Sequence, residues 1–83
     1  MENNLAAEVT SATNRNIILG IVDKNSTRNA VARKSGIPTT TFSRKLDGHG
    51  SFTILELGSI AEALDCELAD ILPTDLISPG ITA

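Results

Sequence analysis

Ala32 and Gly36 stand four residues apart between two short polar-apolar runs, and Pro38 follows two positions later. Few arrangements suit that spacing. Alanine lets a second helix approach closely, glycine accepts the positive φ of a tight turn, and proline fits the cap or first turn of a helix, where its missing N–H costs nothing. Two short helices therefore meet at Ser35-Gly36-Ile37, and Val31, Ile37, Phe42 and Leu46 are expected to fill the wedge between them. The same spacing also joins ordinary bundle helices.

The rest of the 83-residue chain has helical periodicity and no alternating strand pattern, so the expected class is all-α. Helix 1 is expected from Leu5 or Ala6 to Lys24, with a first half that frays. Gly20 inside it implies close approach by another helix, because glycine costs about 1 kcal/mol there against alanine. Thr27 is a good N-cap for helix 2, Arg28 to Ser35, whose Ala30, Val31 and Lys34 side is set against exposed Arg28, Asn29 and Arg33. Helix 3 starts near Pro38 and ends by Asp47, with Phe42 and Leu46 inward and Thr40 and Arg44 outward. Thr53 and Glu56 match a T-x-x-E capping box, flanked by a Phe52/Leu57 hydrophobic staple, which predicts helix 4 from Ile54 to Leu64. Its inward face is Leu57, Ile60, Ala61 and Leu64. A short helix 5, Glu67 to Leu72, stops at Pro73, and the remainder reads as a tail with apolar Leu76, Ile77 and Ile81.

Composition excludes several chemistries. One cysteine, Cys66, and one histidine, His49, leave too few ligands for a zinc cage and no internal disulfide. No catalytic constellation and no phosphate-cradling glycine loop is present, so neither an enzyme nor a cofactor is expected. No apolar run reaches membrane-spanning length and the start lacks a signal-peptide pattern, which implies a cytoplasmic protein with no membrane partner.

A net charge of −3 conceals a polarised chain. Residues 15–49 hold all seven basic side chains against only Asp23 and Asp47, whereas residues 50–83 hold six acidic side chains and no basic one. A basic middle suits a polyanion; taken alone it also suits a solvated face. Helix 3 adds chemistry to the charge. Its outward Thr39, Thr40, Thr41, Ser43, Arg44 and Lys45 match a duplex groove, since arginine bonds guanine bidentately and threonine meets base edges or the thymine methyl. RNA is disfavoured because Phe42 and Phe52, the only aromatics, are both needed in the core.

From Asn16 to Leu72 the chain resembles the lambda-repressor-like family of phage repressors and Cro-type regulators, the XRE family. The resemblance rests on Thr27, Val31-Ala32, the Ser35-Gly36-Ile37 turn, Phe42 to Gly48, and Leu57, Ile60-Ala61, Ala63-Leu64, Leu68 and Ile71-Leu72. It implies a five-helix DNA-binding domain with a helix-turn-helix at helices 2 and 3. Residues 1–15 would then extend helix 1, 16–72 form the domain, and 73–83 the tail. It further implies that Thr39, Thr40, Thr41, Ser43 and Arg44 face bases, and that Thr27, Arg28, Arg33, Lys45 and His49 face phosphates. Two positions depart from the family pattern. Pro38 replaces a capping serine or threonine, and Asp65 replaces the usual glycine before helix 5, which implies a strained or re-routed turn. Cys66 falls at a small apolar core position. His49 is open between an exposed turn residue and a phosphate contact.

The expected function is sequence-specific double-stranded DNA binding by a phage or prophage-type repressor that occludes a promoter, with no small-molecule ligand. The alternative is an interaction module, an antitoxin or adaptor, using the acidic C-terminal half. Residues 66–83 offer apolar material for a homodimer contact, and the competing possibility is that the tail folds over its own core.

Overall fold

The computed structural model describes residues 5–73. Among them are five helices, α1 Leu5–Asp23, α2 Arg28–Ser35, α3 Thr39–Leu46, α4 Ile54–Ala63 and α5 Leu68–Ile71, and no strand. The five-helix, all-α expectation holds, with boundaries shifted by one residue at the ends of α1, α4 and α5. No helix among the described residues is long and apolar enough to cross a membrane.

Four of the five helices end in the same way. Just after α1, α2, α3 and α4 the chain turns through a residue of positive φ, respectively Asn25 (55°), Gly36 (76°), Gly48 (97°) and Asp65 (58°). At each, paired backbone bonds close the helix end. Ile37 N–H donates to Ala32 O at 3.0 Å, and Gly36 N–H to Arg33 O at 3.2 Å. Ser26 with Ile21, His49 with Arg44, and Cys66 with Ala61 repeat the longer bond at 2.8–3.0 Å. This is the Schellman closure, which satisfies the last carbonyls of a helix while reversing the chain. Asp65 thus makes the turn expected of a glycine, in the left-handed region that aspartate enters at some cost.

The starts of the helices differ more. Thr27 Oγ1 accepts from Ala30 N–H at 3.1 Å. Thr53 and Glu56 form the full capping box, with bonds of 3.0 and 2.8 Å. Pro38 caps α3 with no side-chain bond. Glu67 is the N-cap of α5, and its backbone N–H donates to Asp70 Oδ2 at 2.9 Å.

A single core lies where the helices converge, built from Ile17 and Ile21 of α1, Val31 and Ala32 of α2, Phe42 and Leu46 of α3, Leu57, Ile60 and Ala61 of α4, and Ile37, Leu64 and Ile71. Phe42 is fully buried and meets the half-buried Phe52 with ring centroids 5.5 Å apart. Gly20 has the expected neighbour: a Cβ there would stand 3.1 Å from Leu64 Cδ1. Cys66 is half-buried and packs against the core, and burial pushes its thiol pKa up.

Some placements differ from expectation. On α2 the inward residues are Val31 and Ala32, while Lys34 is exposed, because α4 packs over α2 on the Val31-Ala32 side. The apolar residues of α1 divide between two sides, Ile17 and Ile21 buried and Ile18, Leu19 and Val22 exposed, a division for which the amino-acid sequence set no expectation. Thr13 and Asn14, within the stretch expected to extend helix 1, are buried. Leu68 and Leu72 are half-buried against the core, so α5 is largely accommodated within one chain. The expected contact of Leu76, Ile77 and Ile81 lies outside the described residues.

Candidate nucleic-acid interface

α3 is a two-sided helix. Phe42 and Leu46, one turn apart, are buried beneath it, and Thr40 and Arg44, also one turn apart, are exposed on the outside. Thr39 is exposed as well, and Thr41 and Ser43 are half-buried along the flanks. The five residues expected at bases therefore occupy the outer surface and its margins, with Thr40 and Arg44 at its crest. None of the described residues covers Thr39 and Thr40, which follow the Gly36 turn and the buried Ile37.

The basic and hydroxyl residues around this helix fall into two groups. Arg33 and His49 are exposed. Thr27 is exposed, and its Oγ1 is occupied as an acceptor by the α2 cap while its O–H remains available to donate. Arg28 and Lys45 are instead engaged by carboxylates. Arg28 Nη1 lies 3.2 Å from Asp47 Oδ1 across the start of α2 and the end of α3, with both side chains near half exposed. Such surface pairs are worth roughly 0–1 kcal/mol, so a phosphate can displace Asp47 at little cost.

Lys45 is where the placement departs most from expectation. Its ammonium is not turned to open solvent. It donates to both carboxylate oxygens of Glu56, at 2.9 and 3.1 Å, and stands 5.9 Å from the Phe52 ring centroid. The bond from Lys45 comes first among the causes that hold the Glu56 carboxyl below the usual range, followed by the Thr53 backbone N–H. Lys45 thus couples the end of α3 to the capping box of α4. The reason is tertiary: the 45-to-56 pairing spans a loop and follows no helical spacing.

Two positioning residues carry no signal strong enough to read from sequence. Asn14 Nδ2 donates to Lys45 O at 3.1 Å, tying the middle of α1 to the last turn of α3. Asn16 Nδ2 donates to Ile71 O at 2.7 Å and fixes the end of α5. The available hint is that Thr13, Ile17 and Ile21 repeat every four residues, which puts Thr13 and its neighbour Asn14 on the inward side. Among the described residues no buried side-chain nitrogen or oxygen lacks a hydrogen-bond partner, and no group of three metal-ligating residues comes together.

An exposed polar helix on a tight turn, with cations beside it, is the architecture of major-groove readers. The family model for the Cro/C1-type HTH DNA-binding domain matches residues 20–75, more than half of the chain, and the protein belongs to that family. It is accordingly a DNA-binding transcriptional regulator whose partner is double-stranded DNA. No curated protein and no solved structure gives a significant match.

Proposed function

We propose that this regulator is a phage or prophage-type repressor that blocks transcription by occupying a promoter site. The observation that carries the base-reading assignment is the disposition of α3: Thr40 and Arg44 stand exposed one turn apart, opposite buried Phe42 and Leu46. That anchoring fixes the register of the outer face, so Thr39, Thr40, Thr41, Ser43 and Arg44 meet base edges when α3 enters the major groove. Arg33, His49 and Thr27 meet phosphates from the flanks. Arg28 joins them by exchanging Asp47 for a phosphate oxygen, and Lys45 does so only by leaving Glu56. The regulator works as a homodimer through its C-terminal third, because one recognition helix covers only about 4–6 base pairs and a pair of them one DNA turn apart doubles the information. Residues 16–72 carry the binding unit, with α1 extending it toward the N-terminus and residues 73–83 forming the tail.

The test is selection of bound duplexes from a random library, followed by a shift assay on the selected site and a reporter placed behind it. Recovery of a two-fold symmetric site whose occupancy lowers reporter output supports the proposal. Enrichment of no sequence, or a rise in output, overturns it.

A further inference from the structure

An open groove of about 1070 Å³ runs between the C-terminal half of α1 and the α4–α5 turn. It shares no lining residue with α2 or α3. The charged side chains on its lining are Asp23, Glu62, Asp65, Glu67 and Asp70 against Lys24 alone. Apolar surface accompanies the charge: Leu19 and Val22, three residues apart on α1, line the groove at 58% and 71% exposure. A lone exposed aliphatic side chain needs no explanation, but two on one helix side within an acidic groove give a partner helix two apolar anchor points. Asp65 sharpens the picture, since it accepts a positive φ that glycine adopts without cost and adds a carboxylate at the groove.

We propose that this groove docks a basic amphipathic helix of another protein, its apolar residues on Leu19 and Val22 and its lysines or arginines against the carboxylates. Charge complementarity selects that occupant over the others. Nucleic acid is repelled by five carboxylates. A second copy seated groove to groove would oppose two such acidic sets, and like charges brought together without counter-ions are unfavourable, so the homodimer contact proposed above is assigned to Leu68 and Leu72, which do not line the groove. The chain's own residues 74–83 contain Asp75 and no basic residue. A helix in a groove, anchored by residues three or four apart, is a recurring recognition mode that matches the spacing of Leu19 and Val22. The regulator would thereby hold DNA on α3 and a protein between α1 and the α4–α5 turn.

The only cysteine in the chain, Cys66, lines the groove and supplies a reporter. The experiment uses the full-length protein and a fluorescent synthetic helix with leucines on one side and lysines on the other. A peptide of identical composition in scrambled order is the control. Expected are at least tenfold tighter binding of the patterned peptide, slower modification of Cys66 by a disulfide reagent when it is bound, and weakening of binding by added salt. Leu19→Ser/Val22→Ser and Asp23→Asn/Glu62→Gln should each weaken the peptide at least fivefold while leaving thermal melting and the DNA shift unchanged. Equal binding of the scrambled peptide, an unprotected Cys66, or undiminished binding by both variants overturns the proposal. So does sedimentation showing a dimer that Val22→Ser dissociates, or peptide binding that appears only after truncation behind Pro73. The DNA shift in the same samples separates failure here from failure of the repressor assignment.

Discussion

Lys45 and Glu56 are joined across the loop between α3 and α4 by two bonds of 2.9 and 3.1 Å, and the same Glu56 carboxylate accepts from Thr53 N–H at 2.8 Å. One side chain therefore holds both the end of α3 and the start of α4. Because these bonds lower the folded-state pKa of Glu56, the unfolded chain takes up the proton more readily. The stabilisation is complete above the ordinary glutamate range and is lost as pH falls through the lowered value. Urea midpoints measured between about pH 7 and pH 3 should fall more steeply in the parent than in Glu56→Gln, which should be less stable at neutral pH. Parallel profiles would show that the pair contributes nothing to folding.

Arg44 and Arg28 should separate in kind. Arg44→Ala should weaken the preferred site by about 1–3 kcal/mol and relax preference at one base pair. Arg28→Ala should weaken all sequences about equally and flatten the slope of log affinity against log salt by about one unit. Anisotropy titrations on selected and random duplexes at several salt concentrations measure both. Equal losses of Arg44→Ala on the two duplexes would remove it from base reading.

Phe42 is the largest fully buried side chain and stacks at a tilt on Phe52. Phe42→Ala should cost about 3–5 kcal/mol, a large share of the ~5–15 kcal/mol that holds a small domain folded. Denaturant unfolding checks this; a loss below about 1 kcal/mol would contradict the register of α3.

Gly36 and Asp65 occupy equivalent turns, so opposite substitutions should have opposite signs. A Cβ at Gly36 meets nothing within 4 Å, which leaves only the positive φ as the cost of Gly36→Ala, about 1–2 kcal/mol. Asp65→Gly should stabilise by about 0.5–1 kcal/mol, after the added freedom of the unfolded glycine is discounted. Thermal melts of the two variants against the parent decide the signs.

Dimerisation predicts sedimentation as a dimer at tens of micromolar and as a monomer after truncation behind Pro73. A full-length chain that stays monomeric and binds a non-palindromic site one-to-one would end the homodimer proposal.

Local rules carried by neighbouring residues are legible in the amino-acid sequence. Thr27, Gly36 and the Thr53/Glu56 capping box each act within a few positions of chain, so the bounds of α2 and the start of α4 follow from spacing alone. The inward Phe42 and Leu46 and outward Thr40 and Arg44 follow from the 100° step of a helix. Contacts between elements are another matter. That Lys45 turns to Glu56, that Asn14 reaches Lys45 O and Asn16 reaches Ile71 O, and that α2 buries Val31 and Ala32 while exposing Lys34 depends on how helices far apart in sequence are set against one another. Periodicity marks which side of a helix is apolar; it carries no information about which polar side chain of another helix will stand opposite. Packing in three dimensions makes that choice, and it sets Lys45, expected at a phosphate, against Glu56 in the free chain.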